Sequence, residues 1–521
     1  MTKSQLVVIA ASVVAMVSIL RPHASSAEMS VSVNPSRMTE LGTVDPRYQS
    51  YSVEMVEVTG GRFSKPYASA GSSAQSNNPD LYAYRPPIDL ANPKLRKLAA
   101  ALGPAYLRVS GTWANSTYFA DADRAPSLPP PGFKDVLNRQ QWKGVVDFAA
   151  AVDAEIVTSM AISPGVRDTS GVWTTAQAKR LIEFTRSIGG SIAAAEFMNE
   201  PSIPAIGGAP KGYDATAYVR DFKVFEKLAR QAIPGMIILG PGSGGETAAS
   251  DSATHDGSDG TIASRDILQQ TAKSIDVFSY HHYGALSQRC TGVVGTRQSS
   301  PEEQALSEGW LASTDQALAF YRSLRDTFEP GKPIWLTETA EAACGGNPQA
   351  STFLDTFRYL DQLGRLARAG VQVVMHNTLA ASDYGLLDET TLTPRPNYWG
   401  ALLWRKLMGE TVLDPGVSIA PDQHVYAHCQ RDLPGGVTLL VINNDRTSHA
   451  LEMPLAGKRY TLSTDPLANN EVKLNGEVLW LGDNDDIPPL EGVATTAGPL
   501  EFAPATITFL TLESAGNDAC R

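Results

Sequence analysis

The chain has 521 residues, 43% hydrophobic and 19% charged, with 43 Lys and Arg against 55 Asp and Glu for a formal net charge of −12. An acidic balance argues against a nucleic-acid partner, because neutralising phosphates takes a basic face. The apolar content is too high and the charge too low for a disordered chain, so a large globular core is expected.

Residues 1–27 read as a signal peptide. Lys3 gives a positive start, Leu6 to Leu20 form an apolar run broken only by Ser12 and Ser18, and Ser25, Ser26 and Ala27 put small residues where a signal peptidase cuts. An uncleaved membrane anchor is the rival reading, but the run is shorter than the roughly 18 to 20 residues that span a bilayer. Export to a periplasm or beyond the cell is expected, with no membrane contact after cleavage. Residues 28–44 follow, where Ser30, Val31, Ser32 and Val33 alternate like an extra strand for a later sheet.

From 45 to 409 eight short apolar runs recur: Ser52 to Val58, Tyr106 to Val109, Ile156 to Ile162, Ala195 to Met198, Met236 to Leu239, Val277 to Tyr280, Ile334 to Leu336 and Val371 to Met375. Between them apolar residues fall at three- and four-residue intervals, as in Val145, Phe148, Ala149, Val152, the mark of helices burying one face. Strands alternating with helices in this number predict an α/β fold, a (β/α)₈ TIM barrel with its chemistry at the carboxyl ends of the strands. A doubly wound open sheet competes, but Thr59, Gly60, Gly61 is too short for its phosphate-binding turn. Residues 241–260, rich in Gly, Ser, Ala and Asp, read as a surface loop.

Residues 410–521 change to alternating strands with Gly, Asn and Asp turns, as in Val437 to Ile442, Tyr460 to Ser463, Val472 to Leu481 and Ile507 to Leu512. An antiparallel β-sandwich is expected there. Of the four cysteines, Cys429 and Cys520 fall in this region, while Cys290 and Cys344 each follow a strand of the middle region. Disulfides within those two pairs are favoured among three possible pairings, with four buried thiols as the alternative. No Cys/His spacing fits zinc, so no metal is expected.

The most informative stretch is Glu196, Phe197, Met198, Asn199, Glu200, Pro201 at the end of the fourth run, which projects an amide and a carboxyl toward the barrel mouth. A second carboxyl, Glu338, ends the seventh run, Ile334 to Glu338. Either alone reads as a surface or salt-bridge residue. Two carboxyls facing each other across a barrel mouth are what glycosidic bond cleavage needs.

The chain resembles glycoside hydrolase family 79, the heparanase and β-glucuronidase family. The resemblance is carried by Leu107, Arg108, Val109, Ser110, Gly111, Thr112 after the second run, and by Ser279, Tyr280, His281, His282, Tyr283 at the sixth. Tyr384, Gly385, Leu386, Leu387 follow, then Pro394, Pro396, Tyr398, Trp399, Leu402, Leu403, Leu407, Gly409, and Tyr426, Ala427, His428, Cys429. The resemblance implies Glu200 as general acid/base and Glu338 as nucleophile, the acid's pKa being raised by the charge on its neighbour. Glu341 is a rival nucleophile, three residues on and past the strand end. Asn199 would bond the sugar 2-hydroxyl, its plain alternative being to cap the turn. Tyr283 would hold the nucleophile and His282 line the same wall, while His281 reads equally as a core histidine. Arg108 would orient Glu338 or serve as a structural ion pair, and Glu54 would touch a sugar hydroxyl. For a uronate carboxylate the family uses a Tyr, a Gly pair and a second Tyr. Gly345, Gly346 and Tyr384 match, but Ala342, Ala343, Cys344 stand where the first Tyr is expected.

The expected function is a retaining β-glucuronidase or heparanase-like glycosidase, monomeric and acting on a carbohydrate without a cofactor. The acidic charge favours short or plant-type glucuronides over a polyanion. The alternatives are a retaining barrel glycosidase acting on a neutral sugar such as an arabinofuranoside or xyloside, and a noncatalytic glycan-binding protein on this fold.

Overall fold

A computed structural model describes residues 31–67, 82–122, 124–247, 260–290 and 304–521. The signal peptide expected over 1–27 lies outside the described residues, as does Ser30. Eight parallel strands close into a barrel in chain order: β1 Gln49–Ser52, β2 Ala105–Val109, β3 Ala154–Ser159, β4 Ile192–Glu196, β5 Ile237–Gly244, β6 Val277–Leu286, β7 Ile334–Ala343 and β8 Val373–His376. β8 pairs back onto β1 through Val374 with Gln49 and His376 with Tyr51. Barrel strands are covered by helices outside and by each other's side chains inside, so they read as continuous apolar runs.

Four expectations are corrected. The first run, Ser52 to Val58, is not one strand: β1 ends at Ser52 and Met55–Thr59 is a short helix. Glu57 reaches back to accept the Glu54 N–H at 2.9 Å, and this side-chain return starts a helix where alternation alone suggests a strand. Glu54 therefore sits at a helix start rather than on the first strand. β7 does not end at Glu338 but continues to Ala343, so Glu341 lies within it. β6 runs alongside, pairing Tyr283 with Ala340 and Leu286 with Ala343, and the two strands extend as a ribbon beyond the closed barrel. The loop expected over 241–260 begins late, because β5 runs through Gly244; residues 248–259 lie outside the described residues. Val472 to Leu481 is two short strands, Lys473–Leu474 and Glu477–Val478, folded about Asn475 and Gly476 at φ of 52° and 94°. An Asn-Gly pair with positive φ at both residues makes a tight hairpin.

Helix Pro396–Leu407 leads directly into strand Met408–Leu413, the start of a nine-stranded sheet that Glu40–Thr43 also joins. A three-stranded sheet of Val31–Ser32, His449–Met453 and Gly498–Phe502 packs on its outer face, the early segment supplying the extra strand its alternation suggests. Strand Val437–Asn443 shows how the layers divide. Val437, Leu439 and Val441 join Leu451, Met453 and Phe502 in the sandwich core, while Leu440 and Ile442 join the barrel's core. Gly364 on helix Phe353–Arg368 lets that face close, since a Cβ there would lie 2.4 Å from the Tyr426 ring. Cys290 is bonded to Cys344, and Cys429 to Cys520.

Candidate active site

The site lies over the carboxyl ends of the barrel strands. Asn199 and Glu200 follow β4 by three and four residues, and a reciprocal pair with the buried Asn115 fixes Asn199. The Asn199 N–H donates to Asn115 Oδ1 at 2.9 Å, and Asn115 Nδ2 donates to the Asn199 carbonyl at 2.9 Å. Glu200 takes φ 47°, a left-handed conformation that non-glycine residues adopt at a cost, and that turns the chain at the mouth. Its side chain, 16% exposed, is the most accessible of the acids gathered here.

Arg108 at the end of β2 is the hub of this cluster. Its Nη1 donates to Glu338 Oε2 at 2.7 Å, and its Nη2 to Asn199 Oδ1 at 2.8 Å and Glu196 Oε2 at 3.1 Å, with 1% of the side chain exposed. The Tyr283 hydroxyl donates to the other Glu338 oxygen at 2.7 Å. His281, wholly buried, places Nδ1 3.2 Å from Glu200 Oε1 and 3.8 Å from Glu338 Oε2. One oxygen each of Glu200 and Glu338 and a ring nitrogen of His281 all lie within 4.8 Å of one another.

The charges follow from these contacts. Burial opposes ionisation of Glu338, but the charges of His281 and Arg108 and the bond from Tyr283 outweigh it and hold its carboxyl below the ordinary range. Burial likewise disfavours the imidazolium of His281, yet the charge of Glu338 and the bonds to Glu196 and Glu200 push it up to about 9. The trio of Glu200, His281 and Glu338 has the composition of a metal site. Arg108 Nη2 lies 3.3 Å from His281 Nε2, and its fixed positive charge against this trio opposes a bound cation. A second trio, Asp422, Asp445 and His449, lies on the sandwich, where Asp445 is committed to the Arg446 N–H and Thr447 hydroxyl of its own turn.

Glu54 is buried beside Glu338, and burial first, then the charge of Glu338, raises its carboxyl well above the ordinary value. One oxygen accepts from Asn377 Nδ2 at 3.0 Å; the other lies against Gly111, where a Cβ would sit 1.6 Å away, so the glycine of the Ser-Gly-Thr turn makes room for this acid. Asn377 also donates to the hydroxyls of Tyr283 at 3.0 Å and Tyr384 at 3.4 Å. Gly346 abuts Tyr384, with a Cβ built on it 3.3 Å from the Tyr384 nitrogen, but its own N–H is taken by the Ala342 carbonyl at 3.1 Å. His282 is buried on β6. Glu341 faces a separate pocket, accepting from the Asn347 N–H at 2.9 Å and Gln349 Nε2 at 3.2 Å.

Thus the structure gathers Glu200, Glu338, Asn199, Arg108, Tyr283, Glu54 and Tyr384 and keeps Glu341 apart. Sequence reasoning missed Asn115, Glu196 and Asn377 as members of the cluster. Asn377 had one usable signal, an amide immediately after a barrel strand.

No model of a known protein family matches the chain. Mouse heparanase (Mus musculus) is 27% identical over 83% of this chain and 88% of its own. Baicalin-beta-D-glucuronidase of Scutellaria baicalensis is 36% identical over 34% of this chain and 36% of its own. Among solved structures, a 4-O-alpha-L-rhamnosyl-beta-D-glucuronidase from Fusarium oxysporum superposes with a TM-score of 0.62 at 13% identity, covering 93% of this chain and 99% of that one, a likeness of fold. The chain is a glycoside hydrolase related to the heparanases, and its resemblance to glycoside hydrolase family 79 holds over most of its length.

Proposed function

We propose that the protein is an exported β-glucuronidase that cleaves with retention of configuration, through Glu338 as nucleophile and Glu200 as general acid/base. The observation that carries the reading is that one oxygen of Glu200 lies within 4.8 Å of one oxygen of Glu338. Retaining enzymes place them at about 5 to 5.5 Å, whereas inverting ones leave roughly 6.5 to 9.5 Å for a water. Glu338 is held ionised by Arg108 and Tyr283, as a nucleophile must be, and Glu200 is the acid open to solvent. In the first step a Glu338 oxygen bonds to the anomeric carbon as Glu200 gives its proton to the leaving oxygen. In the second, Glu200 takes a proton from water, whose oxygen displaces Glu338. Asn199, its Oδ1 fixed by Arg108, keeps its amide donors for the sugar 2-hydroxyl.

Tyr384 and the Gly345–Gly346 turn are assigned to the uronate carboxylate, with the Gly346 N–H committed internally and Tyr384 the main reader. Residues 45–409 act as the catalytic unit and 410–521 as its sandwich support. Export is supported by the two disulfides and the leader pattern of residues 1–27; among the described residues no helix is long and apolar enough to cross a membrane. The net charge of −12 favours short glucuronides over a long polyanion.

The test is a panel of p-nitrophenyl glycosides. β-Glucuronide should be preferred over β-glucoside, β-xyloside and α-arabinofuranoside, and a neutral sugar turned over faster refutes the uronate assignment. Tyr384→Phe should then lower kcat/KM on the glucuronide roughly 10- to 150-fold, the worth of a hydrogen bond to a charged group, and leave the glucoside nearly unchanged. Equal losses on both remove Tyr384 from that role.

A further inference from the structure

The turn beside Tyr384 has unusual backbone. Cys344, Gly345 and Gly346 take φ of 64°, 87° and 79° in succession. Glycine enters this left-handed region freely and cysteine does not, so something must hold Cys344 there.

A closed ring of contacts does so. Cys344 is bonded to Cys290 at the far end of the β6–β7 ribbon. Arg289, the residue before Cys290, is wholly buried and donates from Nη2 to Asp383 Oδ2 at 2.9 Å. The Asp383 N–H donates to the Gly345 carbonyl at 3.1 Å, and Gly345 follows Cys344. One covalent bond, one buried ion pair and one backbone hydrogen bond thus tie together the segments that follow β6, β7 and β8.

Each member is itself fixed. Arg289 donates from Nη1 to the Lys65 carbonyl at 2.7 Å and from Nε to Ser287 Oγ at 3.2 Å, and lies 4.2 Å from the Tyr67 ring. Asp383 also accepts the Tyr67 N–H at 3.0 Å. Arg395 donates to the carbonyls of Ser382 at 2.5 Å and Asp383 at 2.8 Å, bracing the strand-end segment that carries Tyr384.

We propose that the Cys290–Cys344 disulfide and the Arg289–Asp383 ion pair are positioning elements for substrate selectivity, locking Gly345, Gly346 and Tyr384 into the wall that reads the sugar carboxylate. Ala342, Ala343 and Cys344 stand where the family's tyrosine is expected, so the ring supplies by rigidity what this chain lacks in a side-chain donor. Without the bond, Cys344 relaxes to ordinary backbone, Gly345 moves with it, and Tyr384 loses its backing. Neither element touches the two catalytic carboxylates, so binding of the uronate should suffer and bond cleavage should not. The inference rests on the glucuronide reading above.

The test compares the wild-type protein with Cys290→Ala/Cys344→Ala and, separately, Asp383→Asn, on p-nitrophenyl β-glucuronide and β-glucoside. Cys429→Ala/Cys520→Ala, which removes the distant bond, is the control for lost stability. Both ring variants should raise KM on the glucuronide about 10- to 100-fold, the scale of a small misplacement in a preorganised site, with kcat within about twofold and the glucoside KM unchanged. The control should lose thermal stability and keep wild-type KM values. If either folded ring variant keeps the wild-type glucuronide KM, or if both substrates lose binding in parallel, the ring is only structural. A wild-type protein with no preference for glucuronide overturns this inference and the glucuronide reading together, an outcome distinct from failure of the ring alone.

Discussion

Glu338→Ala should lose on the order of 10⁶-fold in kcat, the scale on which a covalent catalyst without its nucleophile fails. The side chain removed is held by Arg108 at 2.7 Å and Tyr283 at 2.7 Å, so its loss leaves an anion-sized space lined by donors where the proposed mechanism puts the anomeric carbon. Azide fits that space and should restore turnover, giving a glycosyl azide of inverted anomeric configuration, because it attacks from the face Glu338 occupied. Glu200→Ala should behave differently. The general acid contributes about 10²- to 10⁴-fold where the leaving oxygen needs a proton and little where it does not, so dinitrophenyl substrates should react much faster than alkyl ones. Azide there should return product of retained configuration. The roles are reversed if the inverted azide appears with Glu200→Ala, and neither is the nucleophile if only Glu341→Ala shows it.

Seven of the eight barrel strands share two or more residues with the apolar runs that mark them, because strands covered on both faces leave nearly unbroken apolar sequence. The first shares only Ser52. β1 reads Gln49, Ser50, Tyr51, Ser52, all buried, with Gln49 Nε2 donating to the Tyr359 hydroxyl at 2.9 Å and Ser50 Oγ accepting the Tyr106 N–H at 2.8 Å. Tertiary hydrogen bonds to Tyr359 and Tyr106, 310 and 56 residues away, take up Gln49 Nε2 and Ser50 Oγ, and hydropathy along the chain cannot register such partners. The neighbouring apolar stretch is a helix for the same kind of reason, a local side-chain return from Glu57.

The two central acids were legible because an Asn-Glu-Pro and a strand-borne Glu fall at matching points of a repeating pattern. Glu196 was not. It ends its strand in a buried position, and only the folded barrel shows that Arg108, Ser279 and Thr337 all donate to it. Asn115, in a short 3-10 turn, has no spacing that marks it, and Asn377 has only its place immediately after a barrel strand. The cysteine pairs were legible because each lies within one structural region.

Arg108→Met should be nearly as damaging as loss of the nucleophile, by a different route. The guanidinium is the shared cation of Glu338 and Glu196, both buried. Removing one partner of a buried pair leaves an uncompensated charge and costs about 3 to 5 kcal/mol. The pH dependence fixes the cause. In the native protein burial works to raise the Glu196 carboxyl, but Arg108, followed by His281 and Thr337, overrides it and holds the group far below its ordinary value. A carboxyl depressed by folding adds stability above its unfolded pKa and loses it as pH falls. Without Arg108 burial prevails, the folded pKa rises, and the same group costs stability as pH climbs above its unfolded value. The melting temperatures of wild type and variant should therefore already differ near pH 4, separate further toward pH 7, and converge only well below pH 4, where the wild-type Glu196 carboxyl itself takes up a proton. Glu338 loses one of its main depressing charges in the same variant, so the acid limb of kcat/KM should move to higher pH, while Arg108→Lys, which keeps the charge without the fork, should restore part of both effects. A constant gap in melting temperature across that range would mean that Arg108 contributes packing, and that another group sets the ionisation of the two glutamates.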